Sequence, residues 1–264
     1  MRNYIRLSLA ILLVLALAFG AVACGGGDAE QTEAEGDASE KILVGTDTSF
    51  VPFGFEEDGE YKGFDIDMLE EFAKELGFEY ELMPMDFKGL VPALQTGNVD
   101  IVLAGMTITE DREEVVDFAT PYYDSGLIIM VNSEEDGIEG IEDLDGKIVA
   151  TKLGTTSVTF CESIEGLKEL KQFDNIDGAY FELQKGGADA VIFDAPAILY
   201  YIKTEGGDKV KTVGPIYEGQ QYGIAFPKGS EFREEIDEVL VAMMEDGRYD
   251  EIYEKWFGQR PDTE

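Results

Sequence analysis

Leu94-Gln95-Thr96-Gly97-Asn98-Val99-Asp100-Ile101-Val102 and Leu183-Gln184-Lys185-Gly186-Gly187-Ala188-Asp189-Ala190-Val191 follow one grammar. Each leaves a helical segment, stops at a glycine, and enters an apolar run through an aspartate. The segments Lys41-Ile42-Leu43-Val44 and Lys147-Ile148-Val149-Ala150 also match each other as first strands. Chance likeness between strands of common composition is the alternative. Helix, stop and strand recur together, however, which points to two similar α/β lobes.

The chain between and around these stretches fits that reading. Residues 41–46 predict a buried strand, and a helix starts at Asp65 with an apolar face of Leu69, Phe72, Ala73 and Leu76, stopped by Gly77. Residues 78–82 and 99–103 predict strands, and 90–96 a short helix. In the second half, 147–151 and 190–193 predict strands. Helices are expected near 157–164, near 179–185 and after Pro196. Ser230 is read as the cap of a long helix that ends at Gly247, and Tyr249, Ile252, Tyr253 and Trp256 mark a last amphipathic helix.

In open α/β sheets, ligands sit outside the carboxyl ends of strands. That rule nominates Thr46-Asp47, residues 104–107 (Ala104, Gly105, Met106, Thr107), Thr151-Lys152 and Phe193-Asp194. Thr109 is placed to cap a helix whose first turn holds Arg112, where a cation opposes the helix dipole. Helix-start amides and a guanidinium fork form a carboxylate receptor. A surface arginine paired with neighbouring acids is the other reading. Asp194 or a carbonyl near Gly105 can accept from an α-amino group. Asp47 and Lys152 together suit a carboxamide, which needs one acceptor and one donor. Phe50 and Phe87 could flank a ligand's methylene stem or simply fill the core.

The chain has 264 residues, with 20 Lys and Arg against 56 Asp and Glu, no His, and a net charge of −36. This argues against nucleic-acid or acidic-membrane partners, since the phosphate-neutralising cations are missing. Without His there is no Ser-His-Asp triad and no His-ligated zinc. Neither a phosphate loop at 140–147 nor a calcium loop at Asp143 has the required residues, so no metal or cofactor is expected.

Residues 1–23 hold Arg2 and Arg6, an apolar run and no acid, as in a secretory signal. Ala21-Val22-Ala23-Cys24 is similar to a bacterial lipobox, which makes Cys24 the expected lipidated first residue. Residues 24–40 read as an acidic tether. Cys161, in an apolar stretch, is expected to be a small buried residue.

From Lys41 to Gly258 the chain resembles the bacterial extracellular solute-binding proteins of family 3, which serve polar amino-acid ABC importers. The stretches that carry the likeness include Thr46-Asp47-Thr48-Ser49-Phe50-Val51-Pro52-Phe53, Gly63-Phe64-Asp65-Ile66-Asp67, Ala104-Gly105-Met106-Thr107-Ile108-Thr109, Gln220-Gln221-Tyr222-Gly223-Ile224-Ala225-Phe226-Pro227 and Ile252-Tyr253-Glu254-Lys255-Trp256-Phe257-Gly258. The pattern is most like that of the glutamine-binding members.

The resemblance implies a periplasmic-binding-protein-like (type II) α/β fold: two lobes, two hinge crossovers and a ligand cleft between the lobes. Lobe one is expected over 41–121 plus 223–264, lobe two over 127–217, and the hinges at 122–126 and 218–222. It implies that Arg112, the amide of Thr107 and an amide near Thr156 hold a carboxylate. Gly105, Thr107 and Asp194 would hold an ammonium, Phe50 and Phe87 flank the stem, and Asp47 and Lys152 address the side chain. Glutamine-binding members have His where this chain has Phe193 and Gly where it has Thr156. The implied function is that of a monomeric, lipid-anchored, extracytoplasmic receptor. It delivers an L-amino acid, glutamine first, to a membrane permease, with no cofactor and no catalysis. An amino-acid-like dehydratase on the same fold, or a ligand sensor, are the rivals.

With the proposed cleft balanced between acids and bases, the excess acid belongs to the outer surface. Self-repulsion there destabilises the compact state at low salt. The melting temperature should therefore rise markedly from low to molar salt, as expected of an exported protein in saline or alkaline surroundings. A flat response would remove that reading.

Overall fold

A computed structural model describes residues 41–261; the expected signal, Cys24 and the tether lie outside the described residues. The elements are β1 (Ile42–Thr46), β2 (Ser49–Phe50), β3 (Gly54–Glu57), β4 (Glu60–Lys62), α1 (Phe64–Leu76), β5 (Tyr80–Pro84), α2 (Leu90–Gln95), β6 (Ile101–Val102), α3 (Glu110–Glu113), β7 (Val116–Phe118) and β8 (Tyr123–Asn132). They continue with β9 (Ile148–Lys152), α4 (Thr156–Ser163), β10 (Glu169–Phe173), α5 (Ile176–Gln184), β11 (Ala190–Asp194), α6 (Ala195–Tyr201), β12 (Val210–Tyr222), β13 (Ala225–Pro227), α7 (Phe232–Asp246) and α8 (Arg248–Phe257).

Two five-stranded sheets organise the chain, in the orders β5-β1-β6-β13-β7 and β10-β9-β11-β8-β12. In each, a first strand lies between two parallel neighbours, and an antiparallel strand follows. The sequence echo has a physical cause. Asp100 Oδ2 accepts from the Leu43 amide at 2.8 Å, and Asp189 Oδ2 accepts from the Ile148 amide at 2.7 Å. In both sheets the aspartate clamps the start of the first strand. Gly97 (φ 68°) and Gly186 (φ 77°) supply the left-handed turn before it.

Side chains alternate across the second sheet. Val191 and Phe193 of β11 join one core cluster, while Ala190 and Ile192 join another with Cys161, which is buried and free. Burial pushes the Cys161 thiol up to about 12. Helices α7 and α8 return to pack on α1, where Asp67 accepts from Trp256 Nε1 at 2.7 Å and Lys255 Nζ at 2.6 Å.

The chain passes between the sheets at two adjacent places. Strands β8 and β12 run antiparallel, with Tyr222 opposite Tyr123, Gln221 opposite Asp124 and Gln220 opposite Ser125. Beside them, the Tyr122 amide donates to the Tyr222 carbonyl at 2.9 Å. An aromatic group fills the space beneath, with Tyr123 stacked on Tyr222 (5.6 Å) and on Tyr253 (5.6 Å) and in contact with Phe257 (5.1 Å).

Two local expectations need correction. The cap of α7 is Glu231, with no side-chain cap bond; the Ser230 amide closes a turn onto the Pro227 carbonyl instead, so the helix starts a residue later. The strand expected over 78–82 is displaced to Tyr80–Pro84, because Gly77 takes a left-handed cap (φ 71°) and the chain needs Phe78 and Glu79 to turn back.

Candidate functional site

The four nominated strand ends converge. Asp47, Phe50, Phe87, Ala104, Gly105, Thr107, Arg112, Lys152, Thr156, Phe193 and Asp194 line one narrow cavity, together with Thr155.

At one end, Arg112 and Asp194 bring opposite charges. The Arg112 fork donates to the Thr107 carbonyl at 2.6 Å and the Gly154 carbonyl at 3.2 Å. Its carbon lies 5.3 Å from the Phe87 ring centroid, a cation–π contact. Burial lowers Arg112 to about 10, against the opposing pull of Asp194, so it stays charged at neutral pH. Asp194 is 5% exposed. Its Oδ2 accepts from the Tyr222 hydroxyl, while its buried Oδ1 has no hydrogen-bond partner among the described residues. Burial raises its carboxyl to about 6, although Tyr222, Lys152 and Arg112 all favour the charged form.

At the other end, Lys152 Nζ donates to Asp47 Oδ2, with the two side chains 1% and 3% exposed. Ser49 ties the pair in. Its hydroxyl donates to Asp47 Oδ1 at 2.8 Å and accepts from Lys152 Nζ at 3.2 Å, and it also reaches Asn175 Oδ1 at 3.0 Å. Asp47 follows β1 of the first sheet and Lys152 ends β9 of the second, so the pair bridges the sheets. Phe50 forms a T-shaped contact with Phe193 at 5.8 Å.

Gly105 is held from behind. Its amide donates to Asp65 Oδ2 at 2.8 Å, and the Tyr122 hydroxyl donates to Asp65 Oδ1 at 2.9 Å. Asp65 is fully buried, which raises its carboxyl to about 7 despite both donors. Gly105 has φ +54°, and a Cβ there would lie 2.2 Å from Phe50 Cε1. Gly105→Ala should cost about 1–2 kcal/mol of stability through the left-handed backbone. It should also drive the Phe50 ring toward the cavity and weaken ligand binding at least tenfold. A thermal melt with a calorimetric titration measures both.

Helix α3 is a single turn capped by Thr109, as the sequence placed it; the Thr109 hydroxyl accepts from the Arg112 amide at 3.3 Å, and the Arg112 guanidinium lines the cavity. Phe87 lies under that guanidinium as well as on the cavity wall. Sequence reasoning gave no site role to Thr155, Ser49, Asp65 or Gln220. Gln220 Oε1 accepts from both Thr107 and Thr156 hydroxyls at 3.1 Å. The Gln220-Gln221-Tyr222 motif was its only signal, because the hydroxyls it joins are distant in the chain.

Several known proteins are similar to this chain in sequence and fold. The sequence is 31% identical to the L-cystine-binding protein TcyJ of Escherichia coli K12, over 82% of each chain. It is 36% identical to the ABC transporter glutamine-binding protein GlnH of Bacillus subtilis, over 84% of this chain and 83% of that one. A solved ancestral arginine-binding protein bound to glutamine is 46% identical, with a TM-score of 0.79, covering 83% of this chain and 98% of that one. Residues 42–259 match one family throughout, sheets and cavity included, and the chain belongs to the bacterial extracellular solute-binding proteins, family 3.

Proposed function

We propose that this chain is the substrate-binding component of an ABC importer and captures a polar L-amino acid, glutamine first. The observation that carries the reading is the partnerless Oδ1 of buried Asp194, on the wall that Arg112 also lines. A free carboxylate oxygen and a guanidinium at one end of a small cavity match an α-ammonium and an α-carboxylate. At the far end, Asp47 and Lys152 neutralise each other. A cationic or anionic ligand side chain would leave an unbalanced buried charge there. A carboxamide accepts from Lys152 and donates to Asp47 without one. Glutamine and other amino acids in the names of relatives support the same ligand class.

In this reading 41–121 plus 223–264 form lobe one, 127–217 lobe two, and 122–126 with 218–222 the hinges. Ligand binds lobe one, and closure selects a state in which Lys152 meets Asp47. The loaded monomer docks on a membrane permease, and Cys24, lipidated after removal of 1–23, tethers it to the membrane.

Calorimetry with each proteinogenic amino acid tests this. Glutamine should bind at micromolar affinity or tighter, without turnover. Tighter binding of arginine or cystine would reject glutamine. The pH dependence tests the ammonium acceptor. An incoming ammonium favours ionised Asp194, which is protonated below about 6. Affinity should be level from pH 8 to 7 and fall about tenfold per unit well below 6. For the ligand-free chain the raised value works the other way: the stability it contributes is full below the ordinary carboxylate range and is lost as pH rises through about 6. Unchanged affinity at pH 5 would remove Asp194 from the site.

A further inference from the structure

A second, narrow cavity shares no lining residue with the first. Tyr180, Tyr200 and Tyr201 form aromatic walls, and Asp177 and Glu205 supply carboxylates. Tyr180 is 4% exposed, and its hydroxyl has no hydrogen-bond partner among the described residues. Its ring stacks on Tyr201 at 4.2 Å, and the Tyr201 hydroxyl is fixed by the Gln184 amide.

The electrostatics of this place are one-sided. Desolvation and then the Glu205 charge hold the Asp177 carboxyl above its ordinary range. Lys152 pulls the other way, and Asp47 offsets it. Asp177 and Glu205 are both exposed, so solvent screens their mutual repulsion and leaves both carboxylates reachable. Glu205 sits in a π-helical turn, Ile202–Gly206, a rare conformation often kept at functional sites.

Two acids, a partnerless hydroxyl and aromatic faces ask for a cation. A hard metal ion is a poor match. Calcium takes 6–8 oxygen ligands, and no group of three or more acid, His or Cys ligands occurs among the described residues. Aromatic faces add little to a hydrated metal but attract an organic ammonium directly. We propose that this cavity binds a small alkylammonium ion, held by Glu205 and Asp177 against the Tyr180, Tyr200 and Tyr201 rings.

The test is calorimetric titration of the full chain with tetramethylammonium chloride at constant ionic strength, with potassium chloride as the control. Glutamine-free and glutamine-saturated protein should both give a saturable one-site curve that potassium does not reproduce. Glu205→Gln, an exposed change, should weaken binding about tenfold, as should Tyr201→Leu. The proposal falls if there is no saturation or if potassium gives the same curve. It also falls if Glu205→Gln leaves the curve unchanged, or if glutamine displaces the probe, which would put the probe in the amino-acid cavity. Because Glu205→Gln is decisive by itself, a failure of Tyr201→Leu to fold would not blunt the test.

Discussion

Arg112→Ala should remove binding of every α-amino acid, whatever its side chain. The guanidinium is the one cation at the end of the cavity that Asp194 shares, and it is aimed by two carbonyls and the Phe87 ring. Removing one member of a buried, hydrogen-bonded charge pair costs about 2–5 kcal/mol, roughly 30- to 4,000-fold in Kd. Arg112→Lys should recover little, since a point charge cannot reproduce the planar fork. Circular dichroism should show an intact fold, because α3 is a single turn capped by the hydroxyl of Thr109 rather than by the arginine side chain. Normal calorimetric binding by Arg112→Ala would show that the carboxylate is held elsewhere.

Asp47→Ala should act differently, on closure more than on folding. Lys152 is 1% exposed and reaches Asp47 from the other sheet. Without Asp47, a buried ammonium keeps only Ser49 as a hydrogen-bond partner among the described residues. Leaving such a charge unpaired costs about 3–5 kcal/mol while it remains buried. Opening the cleft returns it to water at once. The expected result is a larger radius of gyration in solution scattering, a loss of glutamine affinity of about 10² or more, and a melting temperature that moves little. A compact variant with a much lower melting temperature would mean that the pair supports the fold itself. Lys152→Met together with Asp47→Ala should restore compactness without restoring a carboxamide preference.

Much of the fold was legible because its signals are local. The repeated Gly and Asp work within a few residues of their own strands, and the same clamp onto Leu43 and Ile148 explains why the two stretches look alike. The β2–β3–β4 meander was missed, although Asp58-Gly59, with φ 56° and 82°, is the turn chemistry of a tight hairpin. Strands β8 and β12 were missed for another reason: β8 takes its place by pairing with a segment far along the chain. The site divided the same way. Strand-end residues could be nominated from topology alone. Ser49 and Gln220 could not, because their roles are to join groups that only the folded chain brings together.

The two crossings between the sheets are hydrogen-bonded to each other and stand on the Tyr123, Tyr222, Tyr253 and Phe257 block. Two rods fastened along their length resist twist and shear but still flex about a common line. If these crossings are the hinges proposed above, the joint has close to one mechanical degree of freedom. Its bearing surface belongs to the C-terminal helix, which packs with the first sheet's α1. In the proposed closure, a molecule that touches both lobes at a single point near the axis is then enough to set the closing angle.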